Sequence, residues 1–416
     1  MRRTFRGFLI SASIALSPLA AWAQSQPKGP ALPEGKAKPL VEALCSSCHA
    51  LQLIHNSSGY TREHWKELVG AMIDLSGNPA QQSEITGYLA ANFPPNNRRA
   101  SKLVPGNFQV TFKEWVMPQL GQRTRDPMQA ADGSIWYAGQ YGNLIGRLDP
   151  KTGRVNEYPL PANAMPHTVQ LDPMGRPWYS GNQNGSIGWI DPATGKATVF
   201  KMPDPSAKDT HTIAFDKKGV AYFTFQHANM VGRLNPASGD IKLIKVAAER
   251  SQPYDIKFDA EGMLWVSCNA RPCLLKVHPD TLEVTEIRLP LAGTTVRRLD
   301  IASDGMIWYV NSGRGRIGRL NPKSGEIKEW DSPSGPRSHP YGIAVLDGAV
   351  WYNESGVRPD MLVRFDIAAE TFQSWPIKSG SLYAGILRNA RITPQGTLLI
   401  HQTATNRVIE VTPQKR

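Results

Sequence analysis

The chain has 416 residues, 41% of them hydrophobic, and a formal charge of +12, enough for two domains and a sizeable core. No DNA- or RNA-reading motif accompanies the positive charge, and no stretch approaches the ~18 apolar residues of a spanning helix, which excludes nucleic-acid and integral-membrane classes. The 36 Gly and 33 Pro are concentrated in the second part of the chain, where they predict many turns and an all-β domain.

Residues 1–23 read as a cleavable signal peptide. Arg2, Arg3 and Arg6 form a positive start, Phe8 to Ala21 an apolar run, and Ala21-Trp22-Ala23 a small-residue cleavage site. Without those three Arg the formal charge falls from +12 to +9. The expected compartment is the periplasm. There a basic surface suits an acidic redox protein or an anionic small molecule.

Residues 30–98 read as a small helical domain. The spacing predicts helices over Pro39 to Leu53, from an N-cap at Thr61 to about Leu75, and over Ala80 to Phe93. In the second, Trp65, Leu68, Val69 and Met72 share one face. The first carries Cys45-Ser46-Ser47-Cys48-His49, and C-x-x-C-H is the attachment signature of a c-type haem. Cys45 and Cys48 would form the thioethers, and His49 would be the proximal iron ligand. Met72, the sole Met between residues 30 and 110, is the candidate sixth ligand, with His55 and His64 as rivals; its other reading is core packing. No second C-x-x-C or H-x-x-x-H supports a zinc site. This arrangement, with Tyr88-Leu89 near its end, resembles the short cytochrome c domains attached to periplasmic dehydrogenases. A linker follows at Phe93-Pro94-Pro95 and onward to about residue 107.

From residue 105 to 416 the chain repeats. Turn glycines precede aromatic or apolar pairs at Gly133, Gly175, Gly219, Gly262, Gly305, Gly348 and Gly396, in steps of 42 to 48 residues. Four short strands in each such unit predict a seven-bladed β-propeller. The last repeat lacks its outer strand. Phe112 to Pro118 supplies one, so the ring is expected to close with an N-terminal strand in the last blade.

The entry positions of the innermost strands align Arg125, His167, His211, Tyr254, Arg297, Tyr341 and Arg388. Asp126, Asp209, Asp255, Arg298 and His339 lie close by in sequence. Three Arg among seven positions suit a carboxylate-bearing ligand. The plainer reading is a solvated channel whose Arg pair with Asp126, Asp255 and Asp300. Cys268 and Cys273 flank a short turn and are expected to form a disulfide.

The repeat P-H-x-x-x-x-D-x-x-G-x-x-W-Y with I-G-R-L-D-P-x-T-G resembles the virginiamycin B (streptogramin) lyase family over residues 110–413. That resemblance implies Mg-assisted elimination by His and acidic residues of two late blades. At those positions this chain has Tyr341, Arg388, Ile386 and Gln402. Blades two and three offer His167, Asp209 and His211 instead, with Phe225 at the last acid's place. Glu354 has no His at its own blade's aligned position.

The leading expectation is therefore a mainly-β protein: a propeller preceded by a small all-α cytochrome domain. It would transfer electrons to a periplasmic redox partner, a dehydrogenase or another cytochrome, through one covalent haem c. The alternatives are a lyase acting on a cyclic ester or peptide, with a haem appendage, and a non-enzymatic docking platform.

Overall fold

The computed structural model describes residues 31–46, 51–73, 75–95, 100–119, 122–377, 387–403 and 405–415. The signal-peptide segment, Cys48, His49 and Ile386 lie outside them. So does the side chain of Met72.

Helices α1 (Lys38–Cys45), α2 (Gln52–Asn56), α3 (Arg62–Met72) and α4 (Pro79–Asn92) make up the N-terminal part. Thr61 caps α3 by accepting from His64 N at 3.2 Å, as its sequence suggests. Trp65, Leu68 and Val69 are buried with Val41, Ile85 and Leu89. The helix predicted over residues 39–53 ends instead at Cys45. Cys45 is half-buried beside Leu44 and Leu51 against this core.

The rest is seven four-stranded antiparallel sheets. They cover residues 124–159, 166–201, 210–245, 253–288, 296–331 and 340–376 for blades one to six, and 391–415 with 108–116 for blade seven. The seven turn glycines that mark the repeat all adopt left-handed backbone, φ 67 to 84°, which a side chain at that position would strain. The motif aspartate also has a structural task. Asp172 accepts from Trp178 Nε1 at 2.9 Å, and Asp259 from Trp265 Nε1 at 2.7 Å. Each such Trp is buried, and several stack on an aromatic of their own outer strand, as Trp308 does on Trp330 at 5.3 Å. The glycine of I-G-R-L sits opposite an aromatic ring. Gly318 pairs with Tyr309 across two strands, and a Cβ there would overlap that ring.

Ring closure follows the sequence expectation. Strand β1 (Phe108–Val116) is the outer strand of blade seven, antiparallel to the last strand (Arg407–Lys415), with Phe112 opposite Val411 and Trp115 opposite Val408. The two ends of the propeller chain thereby cover each other's open edges.

The segment before β1 docks on blade six. Val104 N donates to Ser374 Oγ at 2.9 Å, Lys102 N to Ser334 Oγ at 2.9 Å, and Gln373 Nε2 to Phe108 O at 2.6 Å. The helical part meets the same blade, where the Arg358 guanidinium lies 5.5 Å from the Tyr60 ring. Arg358 belongs to the loop after Glu354, and Glu354 pairs with Pro340, the neighbour of Tyr341. The helices therefore contact the propeller at the channel-entry end of blade six.

Candidate functional site

Each innermost strand of blades one to six shifts register just after its entry residue. Such a bulge breaks strict alternation. Two consecutive residues, such as Arg125 and Asp126 or Arg297 and Arg298, thereby both contribute to the channel network.

The inner layer is a buried ionic floor. Arg298 reaches from blade five to four other blades. Its Nη1 donates to Asp255 Oδ1 at 2.8 Å and Thr212 Oγ1 at 3.1 Å, its Nη2 to Asp126 Oδ2 at 3.2 Å, and its Nε to the Arg388 carbonyl at 3.0 Å. Arg298, Asp126 and Asp255 are 1%, 0% and 3% exposed. Burial would raise the Asp126 carboxyl, but Arg298 and Arg125 outweigh it and hold the group well below the usual carboxylate range. Asp126 also takes left-handed backbone, φ 46°, a strained conformation that its surroundings enforce.

The outer layer holds the aligned ring. Arg125 donates to Gln140 Oε1 at 2.8 Å and contacts His167 Nε2. The rings of His167 and His211 lie 3.5 Å apart, and those of His211 and Tyr254 3.9 Å apart. The hydroxyls of Tyr254 and Tyr341 are hydrogen-bonded to each other across the channel. Arg297 packs 5.1 Å from the Tyr341 ring and Arg388 5.6 Å from it. Arg297 and Arg388 are half-buried, while both Tyr are 2% exposed. Arg125 Nε and Arg297 Nε make no hydrogen bond among the described residues.

The charge state of this layer follows from its guanidiniums. Burial, then Arg125, keeps His167 well below its ordinary value, and burial, then Arg298, does the same for His211. Both imidazoles are therefore neutral at pH 7. Burial alone would raise the Tyr341 phenol. Arg388, Arg297 and Arg125 overcome that and bring it down to about 7, whereas burial and the neighbouring Tyr341 raise Tyr254.

Several site expectations need revision. Asp209 does not join His167 and His211 in a catalytic group, because its carboxylate accepts from the backbone N–H groups of His227 and Ala228. Asp300 is no partner of a ring Arg. It pairs with Lys257 at 2.5 Å. Glu354 is buried and bound to Ser332 and Ser334, and burial raises its carboxyl. Phe225 is buried in the apolar core. Cys268 and Cys273 are joined by a disulfide at the hairpin between their strands. Among the described residues no three His, Cys, Asp or Glu side chains are grouped to hold a metal. The Mg implied by the lyase resemblance does not fit here: its site would fall on Tyr341, Arg388 and the neutral Gln402, and a guanidinium beside it repels a cation. A groove of about 1030 Å³ also lies between the 102–104 segment and blades five and six. Its Arg316 is paired with Asp331 at 2.7 Å, and its Arg314 donates to the Ala292 carbonyl.

Fold and channel together define a seven-bladed propeller whose entry ring is cationic. The model of the virginiamycin B lyase family matches residues 101–273. The virginiamycin B lyase of Staphylococcus aureus is similar in fold at 21% identity and TM-score 0.66, over 73% of this chain and 99% of that one. The hydrazine synthase of Kuenenia stuttgartiensis is similar at 12% identity and TM-score 0.57, over 71% of this chain and 96% of that one. A protein described as the extracellular domain of a B. thetaiotaomicron two-component system matches at 16% identity and TM-score 0.57, over 73% of this chain and 42% of its own. No curated protein matches the chain. Among the described residues no helix is long and apolar enough to cross a membrane.

Proposed function

We propose that the propeller binds a small carboxylate-bearing ligand at the mouth of its channel, as the substrate site of a lyase-type reaction that uses no metal. One observation carries this reading. The two carboxylates of the floor are already engaged by Arg298, and Arg125 and Arg297 stand around the mouth, each with an Nε that makes no hydrogen bond among the described residues. Guanidinium forks match carboxylates in shape and charge. The neutral His pair adds polar groups without a competing anion. The match to the lyase family model supports placing the chemistry in the propeller.

Calorimetric titration of the full chain with malate tests the reading. Saturable binding is expected, and Arg297→Gln should weaken it at least ~10-fold, a loss of ~1.4 kcal/mol. No saturable binding, or equal binding by Arg297→Gln, would contradict it.

The motif at residues 45–49 favours a second role, which we propose beside the first. Cys45 and Cys48 would tether a haem c, with His49 and Met72 as iron ligands, for one-electron exchange with a periplasmic redox partner. What supports it is the motif itself and the position of Cys45, half-buried at the end of α1 against apolar Leu44 and Leu51. Protein matured in a host that forms haem thioethers should then be red, with a reduced-minus-oxidised difference spectrum that Cys45→Ala, Cys48→Ala abolishes. A colourless, iron-free product would remove this role and leave the propeller reading untouched.

A further inference from the structure

We propose that the groove between blade five and the 102–104 segment is a docking site for an extended acidic segment of another protein. It is separate from the channel mouth and independent of both roles above.

The lining of this groove of about 1030 Å³ combines two chemistries. Val104, Leu291, Pro333, Pro336 and Phe372 make it apolar, and Lys102, Arg314 and Arg316 make it basic. Asp331 neutralises Arg316 at 2.7 Å. Arg314 donates to the neutral Ala292 carbonyl and keeps its net charge. Lys102 is exposed, and its ammonium enters no ion pair among the described residues. Two cations are thereby left without an acid. Leu103, between two lining residues, is 63% exposed.

The sign of the charge belongs to this end of the propeller. The described connections at the channel-entry end carry eight Lys or Arg and four Asp or Glu, and those at the opposite end carry seven and thirteen. The acidic excess of the far end follows from the turns of the repeat. There Asp149 accepts from Thr152 Oγ1 at 2.7 Å and Asp191 from Thr194 Oγ1 at 2.8 Å, which closes each turn. The entry cations answer to no such rule. Where blade five has Arg314, the connections 140–143 and 182–185 of blades one and two carry no charge.

The binding mode is present one blade away. The 102–104 segment lies along the outer strand of blade six, with Val104 N donating to Ser374 Oγ and Ser374 N to Val104 O, both at 2.9 Å. The outer strand of blade five (Ile327–Asp331) has no strand on its outer edge among the described residues. An extended partner can add to such an edge. Successive side chains of a strand point to opposite sides, so an alternating acidic and apolar sequence matches a groove that offers both chemistries. A groove walled on two sides admits a chain and not the flat face of a bilayer, which favours a protein over an anionic membrane.

Fluorescence anisotropy of the full chain with a labelled peptide of about ten residues, alternating Glu and Val, tests the proposal. Saturable binding is expected, with no binding of the matching Lys and Val peptide. Lys102→Glu combined with Arg314→Glu should weaken binding at least ~10-fold. Lys151→Glu combined with Lys217→Glu makes the same change of net charge at the far end and should alter it less than ~2-fold. Excess malate should leave the peptide bound. No saturable binding, equal loss in the two double variants, or displacement by malate would overturn the proposal. So would binding to phosphatidylglycerol vesicles in place of the peptide, or a dimer of the full chain that Lys102→Glu dissociates, which would assign the groove to a membrane or to a second copy. Should the variant carrying Arg314→Glu fail to fold, Lys102→Glu alone decides, and unchanged peptide binding would overturn the proposal.

Discussion

Replacing Arg298 by Met is expected to cost about 3–5 kcal/mol of folding stability at neutral pH, read as a lower denaturant midpoint. The side chain is 1% exposed and neutralises two carboxylates that are 0% and 3% exposed. Its removal leaves Asp126 and Asp255 buried with much less compensation. Asp126 keeps the Thr168 hydroxyl, which donates to its Oδ2 at 2.7 Å, and the more distant charges of Arg125 and Arg391. The loss should shrink in acid, because without the guanidinium burial raises the Asp126 carboxyl, and protonation then relieves its buried charge. Lys257→Met is the matched control. It breaks an ion pair of similar length with Asp300, but Lys257 is 36% exposed in its side chain, so the cost should stay below ~1 kcal/mol. Equal costs for the two variants would show that the floor is not what fixes the channel.

The second large effect is acid lability that begins well above the carboxylate range. His167, His211, His339 and His401 all have folded values below their ordinary one, and burial is the first cause in each case. A group whose folded value is depressed in this way takes up its proton in the unfolded chain first. Stability therefore rises with pH up to about 6.5 and falls as pH drops below it. His401, 0% exposed and held at about 3, alone removes ~2 kcal/mol at pH 5. The others act in the same direction. Asp126 has the opposite charge type but adds to the loss at lower pH, since its folded value also lies below the unfolded one. Chemical denaturation at pH 7 and pH 5 measures the sum. A stability unchanged between those values would mean that the imidazoles are solvated, and that the channel is wetter than its packing indicates.

Much of the propeller was legible because its repeat carries physical tasks. Gly133 and its six counterparts need left-handed backbone, Asp172 needs to reach the Trp178 indole, and Gly318 must leave room for Tyr309. Each requirement prints a residue at a fixed offset. Closure by β1 could be read because one blade lacked a strand and one segment lacked a blade. The entry ring was legible by position. Its roles were not. That Arg298 engages two carboxylates, on blades one and four, depends on a bulge that brings neighbours to one side, and sequence alternation hides it. Asp209 looked like a partner of His211 because they are two residues apart, yet a nearby loop claims its carboxylate. The end of α1 at Cys45 interrupts a helical pattern that runs on in sequence. The Tyr60–Arg358 contact joins residues 298 positions apart and leaves no periodic trace.

The most direct measurement is a crystal structure of the full chain at saturating malate. Both carboxylates of the ligand should lie at the channel mouth, within hydrogen-bonding distance of Arg125 and Arg297. Malate seated instead in the groove of Lys102, Arg314 and Arg316, with the mouth holding only water, would contradict the assignment of the channel as the working site.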